Sequence, residues 1–145
     1  MRIRVAQSDD IETLFVIRTS VKENYQSRAE IAALGITPTT VAGMLKTNCR
    51  AWIADIDRRS VGFSIANADD RTIFGLFVLP EFEGRGAGKA LLQQAENWLR
   101  SRGCSDIWLT TGNDPNLRAY GFYLHEEWIL DEVLSDGEVR FVKRI

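Results

Sequence analysis

Val78-Leu-Pro-Glu-Phe-Glu83-Gly84-Arg85-Gly86-Ala87-Gly88-Lys89-Ala-Leu-Leu92 decides how this chain is built. The residues before it, Thr72 to Leu79, end in an apolar run and predict a buried strand. Pro80 and an acidic step follow, then glycines at alternate positions, then at once an amphipathic helix over about Ala87 to Arg102. Its Ala87, Leu91, Ala95, Trp98 and Leu99 form one apolar stripe for packing on a sheet. Glycine lets the backbone turn tightly and come close to a ligand. The first N–H groups of a helix have no partner within it, and with the helix dipole they make a seat for an anion. Strand, glycine turn and helix in this order predict a phosphate or pyrophosphate site.

The spacing narrows the ligand. A nucleoside-triphosphate loop needs four residues between its first Gly and a Gly-Lys pair, then Ser or Thr for magnesium. Here only Arg85, Gly86 and Ala87 separate Gly84 from Gly88, and Ala90 follows Lys89. The dinucleotide fingerprint has a different last spacing and wants a carboxylate after the next strand, where Thr110 and Thr111 stand. The frame Glu83-Gly84-Arg85-Gly86-Ala87-Gly88 instead resembles the acyl-CoA loop of the GNAT superfamily of N-acetyltransferases, Gln/Arg-x-x-Gly-x-Gly/Ala. Glu83 departs from it and is expected to point to solvent. A second motif is similar to the family's later helix: Asn116, Ala119 three on, and Tyr123 seven on. Glu127 and Trp128 stand where the family usually has Gly-Phe, which suggests a different turn there.

The rest of the chain divides cleanly. Ile3 and Val5 mark a first strand, and Ser8-Asp9-Asp10 opens a helix reaching about Val21. Ser27 and Glu30 form a capping box for a short helix ended by Gly35, and Thr37-Pro38 opens another to about Lys46. Strands are predicted at Arg50–Ile56, Val61–Ala68, Thr72–Leu79 and Asp106–Thr110, and a helix at Pro115–His125. A last hairpin pairs Ile129–Leu134 with Glu138–Lys143 around Ser135-Asp136-Gly137. The fold class is α/β (α+β), one domain over residues 1–145, in the order β-α-α-β-β-β-α-β-α-β-β. The resemblance implies a mixed, mostly antiparallel central sheet flanked by helices.

Composition fits an ordinary globular protein, 45% hydrophobic and 26% charged. A net charge of −2 gives no reason to expect nucleic acid. No apolar stretch suits a membrane span, and the first residues do not read as a signal peptide. Cys49 and Cys104 lack metal-ligand spacing and predict reduced, buried small side chains in a cytoplasmic protein, with no metal. The four tryptophans are expected in the core or a cleft wall.

The resemblance implies a function. Acetyl-CoA would lie between the fourth and fifth strands, its pantetheine pairing with Leu76, Phe77 and Val78. The pyrophosphate would rest on the N–H groups of Arg85, Gly86, Ala87, Gly88 and Lys89, and Asn116 would hydrogen-bond the CoA arm. Tyr123 would protonate the departing thiolate. The acceptor is a small-molecule or protein amine attacking directly, without a covalent acyl-enzyme. The family's strand-four carboxylate maps to Thr72, so Glu23 is the candidate base. Asn24 and Tyr25 could line the acceptor pocket, Arg18 could pair with an acidic acceptor, and His125 reads as a helix-end surface cation. The C-terminal hairpin offers an edge to a homodimer. Two other functions fit the same loop: a non-catalytic acyl-CoA-binding sensor or assembly module, and a nucleotide or phosphosugar binder.

Overall fold

The computed structural model describes residues 1–145. Its strands are β1 (Arg2–Val5), β2 (Cys49–Ile56), β3 (Arg59–Asn67), β4 (Thr72–Val78), β5 (Asp106–Gly112), β6 (Ile129–Val133) and β7 (Glu138–Arg144). They form one seven-stranded sheet in the order β1-β2-β3-β4-β5-β7-β6. Every neighbouring pair is antiparallel except β4 and β5, which run parallel. The helices are α1 (Ile11–Arg18), α2 (Arg28–Ala33), α3 (Pro38–Lys46), α4 (Ala87–Ser101) and α5 (Arg118–His125).

Local chemistry sets the ends of these helices. Ser27 and Glu30 cap α2 reciprocally, and Thr37 caps α3 with Pro38 at its first position. Between them Gly35 takes a left-handed φ of 84°. Three helices therefore lie between β1 and β2, one more than the expected element order counts. The last helix starts at Arg118, not Pro115, because Asp114 Oδ1 accepts the N–H of Asn116 and holds that segment in a turn.

The core is stacked on both faces of the sheet. Leu91, Leu92, Ala95 and Leu99 of α4 are buried, and α4 packs on β2, β3 and β4. Buried Ser64 of β3 donates its hydroxyl to the Leu91 carbonyl at 3.0 Å. The other face of β2 and β3 receives α3 and α1. Trp52 and Trp128 are buried and Trp98 and Trp108 partly so; none of them lines the main cleft. Both cysteines are free and buried. Burial, with Asp70 and Asp69 adding to it, pushes the Cys49 thiol up to about 11, so it stays protonated and unreactive at neutral pH.

The junction between α5 and β6 explains the Glu127-Trp128 departure. Glu127 adopts a φ of 70°, the left-handed conformation that a glycine accommodates, so the unusual residue bears strain there. Trp128 is only 2% exposed and donates its indole N–H to Glu96 Oε2 at 3.2 Å. Lys143 Nζ reaches Glu96 Oε1 at 3.0 Å and the Glu126 carbonyl at 3.0 Å. One carboxylate thus pins α4 to the turn before β6 and to β7.

Glu96→Ala leaves the Trp128 N–H without its acceptor and the Lys143 ammonium without its counter-ion, with only the Glu126 carbonyl still accepting from it. Chemical denaturation is expected to show a loss of about 3 kcal/mol. Glu127→Gly relieves the left-handed strain at some cost in chain entropy, and the same experiment is expected to show a gain of about 0.5 kcal/mol.

Candidate active site

The site begins where β4 and β5 part. They share one register position, Thr72 with Trp108. On its other side β4 stays paired to β3 as far as Val78, but with an irregularity: Ala66 faces Ile73 and Ile65 faces Gly75, leaving Phe74 as an extra residue. Such a bulge bends its strand and increases the local twist. Beyond it, the edge of β4 that faces β5 has no strand partner. Leu79 N–H donates to the Val61 carbonyl. By the alternation of an antiparallel ladder, Phe77 then turns its N–H and C=O to β3, and Leu76 and Val78 turn theirs into the gap.

An open cleft of about 1360 Å³ fills this wedge. That exceeds the roughly 300–1,000 Å³ of common small-ligand pockets and has room for an elongated ligand beside a second one. Leu76, Phe77 and Val78 line it, as do Gly84, Gly86, Ala87, Gly88 and Lys89. At the start of α4, Gly84 and Gly86 have φ of 76° and 87°, where a side chain would be strained. A Cβ at either would meet nothing within 4 Å, so the loop stays open above its backbone. The first helical hydrogen bond of α4 is Ala90 N–H to the Gly86 carbonyl at 3.1 Å, and the N–H groups of Arg85 to Lys89 donate to no protein oxygen. Five unpartnered donors at the positive end of a 15-residue helix suit a pyrophosphate.

Glu83 does not simply face solvent. Its carboxylate meets Arg118 Nε at 3.2 Å, which offsets the charge beside the anion seat. Arg118 also donates its backbone N–H to Glu23 Oε2 at 3.0 Å. The expected base is therefore the cap of α5, with its second oxygen free of protein partners. Asn24, with a φ of 55°, follows it, and a Cβ on Gly112 would come within 3.4 Å of the Asn24 amide. The loop between α1 and α2 thus closes over the ends of β5 and α5, and Lys22, Glu23, Asn24 and Tyr25 all line the cleft.

Tyr123 reaches the cleft from α5 and is 6% exposed. Phe122, Trp128 and Phe141 surround its ring at centroid distances of 5.4, 5.9 and 6.0 Å. Burial pushes its hydroxyl above the ordinary tyrosine value, so the proton stays on at neutral pH. His125 is exposed at the end of α5 and also borders the cleft.

Two expected contributors, and the position where the resemblance puts a carboxylate, lie apart from the cleft lining. Asn116 is exposed in the turn before α5, and the Arg85 side chain sits over the Phe82 ring at 5.2 Å. Thr72 gives its hydroxyl to the Trp108 carbonyl at 2.8 Å and closes the bottom of the wedge. Other groups are visible only in the fold. Arg118 joins two walls of the cleft. Glu138 of β7 lines it, its carboxyl raised by burial and by neighbouring Asp136. Arg18, which the sequence offers as a partner for an acidic acceptor, lines the cleft with its guanidinium facing Phe77 at 4.3 Å.

Comparisons with known proteins agree with this geometry. An uncharacterized N-acetyltransferase of Archaeoglobus fulgidus is 33% identical over 138 residues, covering 88% of this chain and 92% of that protein. One of Methanocaldococcus jannaschii is 34% identical over 103 residues, 71% of this chain; the chain spans only 40% of that relative's length. Among solved structures, the PaiA N-acetyltransferase of Thermoplasma acidophilum, in complex with coenzyme A, superposes with a TM-score of 0.83 at 20% identity over 100% of both chains. A putative streptothricin acetyltransferase of Bacillus anthracis, in complex with acetyl coenzyme A, gives 0.74 at 18% identity, covering 99% of each chain. The sequence profile of the Acetyltransferase (GNAT) family matches residues 17–125, and the chain belongs to that family of acetyl-CoA-using enzymes.

Proposed function

We propose that this protein is an acetyl-CoA-dependent N-acetyltransferase of the cytoplasm that acetylates a primary amine by direct attack in a ternary complex. The observation that carries this reading is the row of unpartnered N–H groups from Arg85 to Lys89, opening onto the free edge of β4 and the Tyr123 side chain in one cleft. Acetyl-CoA supplies an activated acetyl group as a thioester. The Arg85–Lys89 N–H groups bind its pyrophosphate, and the Lys89 side chain, which lines the cleft, adds positive charge. Leu76 and Val78 offer outward N–H and C=O groups to pantetheine. The Val78 N–H polarises the thioester carbonyl and stabilises negative charge developing on its oxygen. The amine nitrogen bonds to the acetyl carbon as the carbon–sulfur bond breaks. Tyr123 gives its proton to the sulfur, and Glu23 takes one from the amine through its free oxygen. Proximity in the cleft supplies much of the acceleration.

A second reading, a non-catalytic acyl-CoA-binding module, draws on Thr72. Its hydroxyl is committed to the Trp108 carbonyl where the resemblance puts a carboxylate. Release of free thiol from acetyl-CoA with pooled amines favours the enzyme; binding without turnover across the panel favours the module.

Gly86→Glu forces a side chain into a φ of 87° and sets a negative charge on the anion seat. In a thermal-shift titration, acetyl-CoA is expected to raise the Tm of the wild type and leave this variant unmoved. Tyr123→Phe is expected to lower kcat about 10²–10⁴-fold. Because the raised Tyr123 must be protonated to act, the wild-type rate is expected to hold through neutral pH, and any Tyr123 limb to fall above the ordinary tyrosine value of about 10. Glu23→Gln is expected to lower kcat/KM; an unchanged kcat/KM would pass the role of base to Glu138.

A further inference from the structure

The wall of the cleft formed by α1 and the loop after it carries a half-buried cation that no carboxylate of the chain pairs with. Arg18 ends α1, and its guanidinium packs on the Phe77 ring at 4.3 Å. Its Nη2 donates to the Asn24 carbonyl at 3.1 Å and to Gln26 Oε1 at 3.0 Å. Its Nη1 is buried and has no hydrogen-bond partner. No carboxylate lies within salt-bridge distance of it. The acids nearest in sequence have other tasks: Glu23 caps α5 and Glu30 caps α2. A guanidinium nitrogen shut off from water without an acceptor is costly to maintain, and partial burial pulls the pKa of Arg18 down. The other cations lining the cleft, Lys22, Lys89, Arg118 and His125, are exposed.

The setting of Arg18 defines what would complete it. Phe63 and Phe77 face the same side of the sheet as α1, and Ser64, bonded to α4, faces the other. The Arg85–Lys89 anion seat belongs to α4, so Arg18 lies on the opposite face of the sheet from it. The cleft that Arg18 lines also offers apolar surface, with Leu14, Phe15, Ile31, Val41 and Phe63 among its lining residues. One half-buried cation with one buried, orphan nitrogen calls for a monoanion, which a carboxylate supplies. A phosphate dianion calls for a second such cation.

Resting on the N-acetyltransferase reading above, we propose that Arg18 binds the carboxylate of the acceptor, an amine with an apolar body in the class of apolar amino acids. The carboxylate fills the valence of Nη1, the apolar body lies against Phe63 and Phe77, and the amine is left facing the open edge of β4. Arg18 then selects the substrate as well as bracing the loop that carries Asn24 and Gln26.

The test uses reaction products, so it does not depend on turnover. N-acetyl-leucine, N-acetyl-phenylalanine and N-acetyl-methionine are titrated into wild-type protein with saturating CoA, beside their primary carboxamides, by calorimetry. The acids are expected to bind at least tenfold more tightly than the amides, as one charge-assisted hydrogen bond would give. Arg18→Gln is expected to abolish this difference and Arg18→Lys to restore part of it. A merely structural Arg18 would weaken acid and amide alike. Equal binding of acids and amides by the wild type, or no binding of any acid, overturns the assignment. Acetyl-CoA is titrated alone on the same sample. If it binds while the acids fail, only the Arg18 assignment falls; if it does not bind, the transferase reading falls and takes this one with it.

Discussion

Beyond Thr72 and Trp108, β4 and β5 cannot stay paired, and the geometry of the site descends from that separation. A parallel pair needs a crossover, here α4, and the crossover sets its N-terminus at the carboxyl ends of both strands. The extra residue at Phe74 bends β4 while its other edge stays fixed to β3. Two ordinary requirements, a crossover and a bulge, therefore place an unsatisfied strand edge beside an unsatisfied helix end. Both want hydrogen-bond acceptors from a ligand, and an extended chain with a pyrophosphate at one end offers both. The carboxyl ends of parallel strands are where open α/β sheets bind their ligands generally.

The wedge needs rigid walls, and polar ties within the fold provide them. Ser64 fixes the middle of α4 to β3, and Glu96 ties its later turns to Trp128 and Lys143. On the opposite wall, Phe122, Trp128 and Phe141 hold the Tyr123 ring. Trp128 belongs to both arrangements, which links the seat of the anion to the proposed proton donor through one side chain. Arg118 makes a third connection, between the glycine loop and the loop after α1. The charge of Glu83, at odds with an anion site when read in isolation, is offset by that contact.

What was legible in the sequence was mostly local. Ser27, Glu30, Thr37 and Pro38 cap helices through contacts a few residues apart, so the helix starts could be read directly. Gly84 and Gly86 announced themselves because their backbone conformation excludes other residues. The parting of β4 from β5 was legible only through the family resemblance, since a register shift is a property of two strands together. The link between Glu23 and Arg118 joins residues 95 positions apart, and no periodicity records it. In the sequence Arg18 reads as a partner for an acidic acceptor or a surface salt bridge; its place on the Phe77 ring and its orphan Nη1 appear only in the fold, because a later strand supplies Phe77. Glu127 shows the limit from the other side. Its identity suggested a different turn, yet the backbone keeps the left-handed conformation with a residue that tolerates it poorly.

The central claim is that the backbone donors from Arg85 to Lys89, with Val78 facing the gap, hold acetyl-CoA. A ¹H–¹⁵N titration of the labelled protein with acetyl-CoA addresses those donors one by one. The account predicts that the amide resonances of Arg85 to Lys89 and Val78 move furthest, downfield as they gain acceptors, with Phe77 nearly still because its N–H already serves β3. Saturable binding that leaves these amides in place, or that moves Phe77 more than Val78, would contradict it.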